Sequence, residues 1–101
     1  MASWTVVVSC DGISSAEGPQ AAIDISQEFR TFRSPRYLNP ECSYADGVLT
    51  LCCDNDGWDA DGINLMDEFC DCLSAYLQNS GTEVRIVSAT KKQDSNPRPS
   101  N

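Results

Sequence analysis

The chain has 101 residues, a net charge of −8, six cysteines and no histidine. That length supports one core rather than two. An isoelectric point near 4.1 disfavours DNA, RNA and anionic membranes as partners, because their phosphates are neutralised by clustered Lys and Arg. The N-terminal Met1-Ala2-Ser3-Trp4 has no basic region ahead of its short Val6-Val7-Val8 run, and no segment nears the roughly twenty apolar residues of a membrane-spanning helix. A cytoplasmic protein with mostly reduced thiols is therefore expected.

Trp4 to Cys10 reads as a first strand, with Trp4, Val6, Val8 and Cys10 on one side and Thr5, Val7 and Ser9 on the other. Asp11-Gly12 closes it. A helix is predicted from about Ser15 to Phe32, with Ser14 or Ser15 as cap, Glu17 in the first turn and Pro19 early enough to be tolerated. Ala22, Ile25, Phe29 and Phe32 form its apolar stripe. Tyr37 to Ala45 and Val48 to Cys53 flank Asp46-Gly47, a pair suited to the positive φ of a tight hairpin turn, and Pro40 assigns the first of these strands to a sheet edge.

A second helix, from about Ile63 to Leu77, gathers Leu65, Met66, Phe69, Leu73, Tyr76 and Leu77 on one face, with Cys70 and Cys72 at its opposite margins. Asn79-Ser80-Gly81 supplies the stop, and Thr82 to Ala89 the last strand. The order β-α-β-β-α-β implies an α+β, ferredoxin-like (split βαβ) fold, a four-stranded antiparallel sheet with both helices on one face. Residues 1–92 form one domain on this reading, and the polar segment 93–101, with Pro97 and Pro99, is a disordered tail.

Catalysis finds little support in the sequence. Without histidine the commonest general base is missing, no motif pairs a nucleophile with a base, and Arg30, Arg33 and Arg36 read as solvated charges near a helix end. Cys10, Cys42, Cys52, Cys53, Cys70 and Cys72 contain no Cys-x-x-Cys pair, and neither Cys52-Cys53 on a strand nor Cys70 and Cys72 on a helix converge on one ion. They are expected to be small apolar packing residues, with no bound metal or cofactor. Asp11 and Asp46, at one end of the sheet, resemble a metal-holding carboxylate pair only loosely, for no phosphate-binding loop accompanies them.

The run Asp54-Asn55-Asp56-Gly57-Trp58-Asp59-Ala60-Asp61-Gly62 carries four aspartates in nine residues. Calcium loops of EF-hand type need oxygen ligands at alternating positions and a Glu at the twelfth. Counted from Asp54 those positions hold Trp58 and Leu65, and counted from Asp59 the fifth is Ile63, so neither frame fits. Asp59 or Asp61 is expected to cap the second helix, with Lys91 or Lys92 relieving repulsion.

The leading functional expectation is a small acidic, non-enzymatic protein-binding module, an inhibitor or immunity-type protein that occludes a basic protein partner through Asp54, Asp56, Trp58, Asp59 and Asp61. The alternative is a self-associating structural or regulatory domain, a homodimer joined through an open sheet face bearing Thr5, Val7, Ser9, Tyr37, Val48, Thr50, Arg85 and Val87, with Val7, Val48, Thr50 and Val87 as the interface. A metal-binding protein is the third reading.

Overall fold

The computed structural model describes residues 3–33, 35–78 and 81–92. The tail expected over 93–101 and the Asn79-Ser80 stop lie outside them. Among the described residues the order is β1 (Ser3–Cys10), α1 (Gly18–Phe32), β2 (Leu38–Ala45), β3 (Val48–Asn55), α2 (Ile63–Tyr76) and β4 (Val84–Lys92). The strands form one sheet in the order β2-β3-β1-β4, every neighbouring pair antiparallel. This is the ferredoxin-like arrangement anticipated by the element order.

Alternation in β1 places Val6, Val8 and Cys10 in the core with Leu49, Leu51 and Cys53 of β3, where Ile25 and Phe29 of α1 and Leu65, Phe69 and Leu73 of α2 meet them. Asp46 and Gly47 have φ of 50° and 82°, the left-handed pair of a primed hairpin turn. α1 begins later than predicted, because Ser14 holds a separate turn: its carbonyl accepts from the Gly18 N–H at 2.8 Å and its hydroxyl from the Glu17 N–H at 3.2 Å. Gly18 then lies flat against Tyr44, and a Cβ there would come within 2.3 Å of the ring.

Three placements differ from expectation. Phe32, assigned to the buried stripe, is 75% exposed; it is the last residue of α1, and the inward side of that turn is taken by Arg33, whose guanidinium lies 5.3 Å from the centre of the Phe29 ring. Arg33 also pairs with Glu28 at 3.2 Å and with Glu68 of α2, so it ties the two helices together instead of standing in solvent. Tyr37, assigned to the open sheet face, is in the core, edge-on to Phe29 with ring centres 5.4 Å apart. No helix among the described residues is long and apolar enough to cross a membrane.

Candidate functional site

The acidic run does not form one cluster. Asp54 and Asn55 belong to β3, which pairs through Thr5 and Trp4 beyond the predicted end at Cys53. Strand alternation turns Asp54 to the face opposite the helices, where its carboxylate accepts hydrogen bonds from Thr5 Oγ1 (2.7 Å), Asn39 Nδ2 (3.0 Å) and Lys92 Nζ (3.0 Å). Burial is the largest single influence on this carboxyl and raises its pKa, but the bonds from Asn39, Thr5 and Lys92, with the Lys92 charge, together outweigh it and leave Asp54 below the ordinary value. The expected relief by a lysine is met by Lys92, which β4 reaches by extending past Ala89.

Asn55 and Asp59 build the turn that follows. The Asn55 side-chain oxygen accepts from the Gly57 N–H at 2.8 Å and the Asp59 N–H at 3.3 Å, while its amide donates to the Asp59 carbonyl at 3.0 Å. Asp59 is 1% exposed, and its two carboxylate oxygens accept from the Asn64 N–H at 3.0 Å and the Leu65 N–H at 2.9 Å. These are first-turn donors of α2 that have no partner within the helix. Gly62, at the cap position, has no side chain to serve them, so Asp59 reaches over from three residues upstream. Asp61 accepts from the Ile63 N–H at 3.2 Å and remains exposed.

Trp58 is the outward product of this knot. It is 39% exposed and held on three sides: Tyr37 at 5.4 Å between ring centres, the Arg36 guanidinium 4.4 Å from its ring centre, and a 3.0 Å bond from the indole N–H to the Arg36 carbonyl. With Pro35, Arg36, Leu38 and Asp56 it lines a shallow hollow of about 260 Å³. That is below the roughly 300–1,000 Å³ of sites that enclose small-molecule ligands, and it suits a single side chain. Asp56 and Asp61 are the run's outward carboxylates; Asp54 and Asp59 are committed to internal partners. The roles of Arg36, Tyr37 and Asn55 were not read from the sequence; the Asn-x-Gly spacing of Asn55 and Gly57 was the available signal for the last.

The remaining candidates are dispersed. Asp11 pairs with Arg85 at 2.9 Å while Asp46 occupies the hairpin turn, and among the described residues no group of three or more Cys, Asp or Glu side chains is placed to hold a metal. Register on the sheet face away from the helices puts Ser43, Thr50, Ser9 and Arg85 in one row and Glu41, Cys52, Val7 and Ser88 in the next. Val48 is half-buried beside the hairpin turn, and Val87 is an exposed extra residue where β4 slips against Val7 and Val8. All six thiols are free and raised in pKa, burial first among the causes in each, which makes them poor nucleophiles. Cys10 and Cys70 share a hollow with Leu73, Leu77 and Val84. The chain matches no family model, and no curated protein or solved structure matches it.

Proposed function

We propose that this protein is a non-enzymatic binding module that uses the side of the molecule around Trp58 to cover a basic surface on a protein partner, in the manner of an inhibitor or immunity-type protein. The observation that carries the reading is Trp58 itself: an indole fixed by Tyr37 and Arg36, partly open to solvent, with Leu38 beside it and the Asp56 carboxylate at the rim. An immobilised aromatic loses little entropy on contact and is the commonest kind of binding anchor. The surrounding charge selects a basic partner and speeds encounter. Asp56, Trp58 and Asp61 make up the contact surface, with Asp54 and Asp59 as its internal supports. The sheet face offers a self-associating dimer less, since hydroxyls and the Asp54–Lys92 and Asp11–Arg85 pairs separate its valines, of which Val7 and Val48 are half-buried.

The test is affinity capture from the native source with the intact chain and with a Trp58→Ala, Asp56→Asn, Asp61→Asn variant. The expected result is a basic protein retained by the former, released by moderate salt and absent from the latter. Retention of the same proteins by both chains rejects this surface.

A further inference from the structure

Phe32, turned outward at the end of α1 where Arg33 packs on Phe29, is left 75% exposed. It stands at the end of α1 beside a small hollow of about 140 Å³ whose other walls are Asp24, Gln27, Glu28 and Thr31 from α1 and Tyr76 from α2. The Tyr76 ring and the two carboxylates there are held in place. Tyr76 donates its hydroxyl to Glu28 Oε1 at 2.9 Å, Glu28 Oε2 accepts from Arg33 at 3.2 Å, and Gln20 donates to Asp24 Oδ1 at 3.1 Å. Among the described residues no cation pairs with Asp24. The hollow therefore joins two aromatic rings to an uncompensated carboxylate, in a size that admits one side chain.

Each class of occupant meets this wall differently. Anions are repelled by Asp24, whose charge no cation offsets among the described residues. An apolar group would desolvate Asp24 without replacing its water. A metal ion lacks a third protein carboxylate. An organic cation satisfies both parts of the wall, because a cation over a ring face is attracted by its quadrupole while a carboxylate neutralises the charge. Guanidinium is favoured over ammonium, since its plane stacks on an aromatic ring and its fork matches a carboxylate. The protein uses that stacking internally, in Arg36 over Trp58 and Arg33 over Phe29.

We infer that the hollow between Phe32 and Tyr76 is a receptor for an arginine side chain of a basic protein partner, with Asp24 as the charge partner and Phe32 as the stacking face. The inference rests on the proposed binding of a basic partner and assigns it a second anchor, distinct from Trp58.

The test is a titration of the full chain with a hexa-arginine peptide and, separately, a hexalysine peptide of equal charge, read by calorimetry and by amide chemical shifts. Phe32 is exposed, so Phe32→Ala leaves the fold intact. The expected result is tighter binding of hexa-arginine than of hexalysine, shift changes at Asp24, Thr31, Phe32 and Tyr76, and a loss of about two- to fivefold in hexa-arginine affinity with Phe32→Ala or Asp24→Asn. Phe32→Ala should also erase the preference for arginine. Equal affinity for both peptides, or a preference untouched by Phe32→Ala, overturns the inference. If hexa-arginine then shifts only residues around Trp58, the function proposed above survives without this anchor; if neither peptide binds at low salt, both fail.

Discussion

Tyr37 shows how much one side chain can reveal about the interior. Its ring lies against Phe29 and Trp58, it is 1% exposed, and its hydroxyl has no hydrogen-bond partner among the described residues. Burial, and next the charge of Asp59, push its pKa up to about 12 from an ordinary value near 10. The neutral phenol is thus favoured in the folded protein, while the unfolded chain gives up that proton at lower pH. Between pH 10 and about 12 the unfolded state binds fewer protons, so stability falls by roughly 1.4 kcal/mol per pH unit from this group. The raised thiols act in the same direction from lower pH, so the Tyr37 share is read by difference. Tyr37→Phe should be neutral or stabilising by up to about 1 kcal/mol at pH 7, since it removes an unpaired buried hydroxyl, and should lose less stability than the parent between pH 10 and 12. Urea unfolding at pH 7 and pH 11 measures both. A clear loss at pH 7 would show that the hydroxyl has a bonding partner.

At the scale of elements, local chemistry and distant pairing divide what could be read in advance. The period-2 pattern of β1 and the Asp46-Gly47 turn are local, and both are found as expected. So is the capping of α2 by Asp59, read from an aspartate ahead of an apolar periodic stretch. The ends of β3 and β4 were missed because Trp4 and Ser3, far away in sequence, extend the pairing to Asn55 and Lys92. Tyr37 was misplaced because Asn39, with φ of 53°, and Pro40 interrupt the register between Leu38 and Glu41; such a slip breaks the alternation on which a face is assigned. The same irregularity blunts the β2 edge, as the displaced Val87 with Lys91 and Lys92 blunts that of β4. How closely α2 approaches the sheet depends on Gly62. Its φ is 82°, and a Cβ would come within 2.5 Å of Val6 Cγ1. Gly47 has the same φ, yet a Cβ there would meet nothing closer than 3.8 Å. Gly47→Ala should therefore cost about 1 kcal/mol for its left-handed backbone alone, and Gly62→Ala about 2–4 kcal/mol, because a β-branched neighbour cannot turn aside. Equal losses on urea unfolding would mean that the Val6 contact yields freely.

The charge of the whole molecule is unevenly placed, and this asymmetry separates a stability role from a binding role. From Asp54 to Asp71 the chain carries seven carboxylates and no Lys or Arg, while β4 carries Arg85, Lys91 and Lys92. Asp54 and Asp59 are engaged in internal bonds and Glu68 with Arg33, but Asp67 and Asp71 are exposed one turn apart on α2, and among the described residues no cation pairs with either. Like charges at that spacing cost a helix about 0.2–0.5 kcal/mol. Asp71→Lys would replace this repulsion with an Asp–Lys pair in the favourable order and bring a positive charge nearer the helix C-terminus, so stability should rise by about 0.5–1 kcal/mol at low ionic strength. The gain should shrink in 0.5 M salt, where screening shortens the reach of exposed charges. If the acidic side meets a basic partner as proposed, the same substitution should weaken binding, giving opposite signs for stability and affinity. Urea unfolding at low and high salt, set beside affinity for the captured partner, tests the pair of effects. A fall in stability would assign Asp71 a structural role. Unchanged affinity would exclude α2 from the contact and confine it to the Trp58 loop.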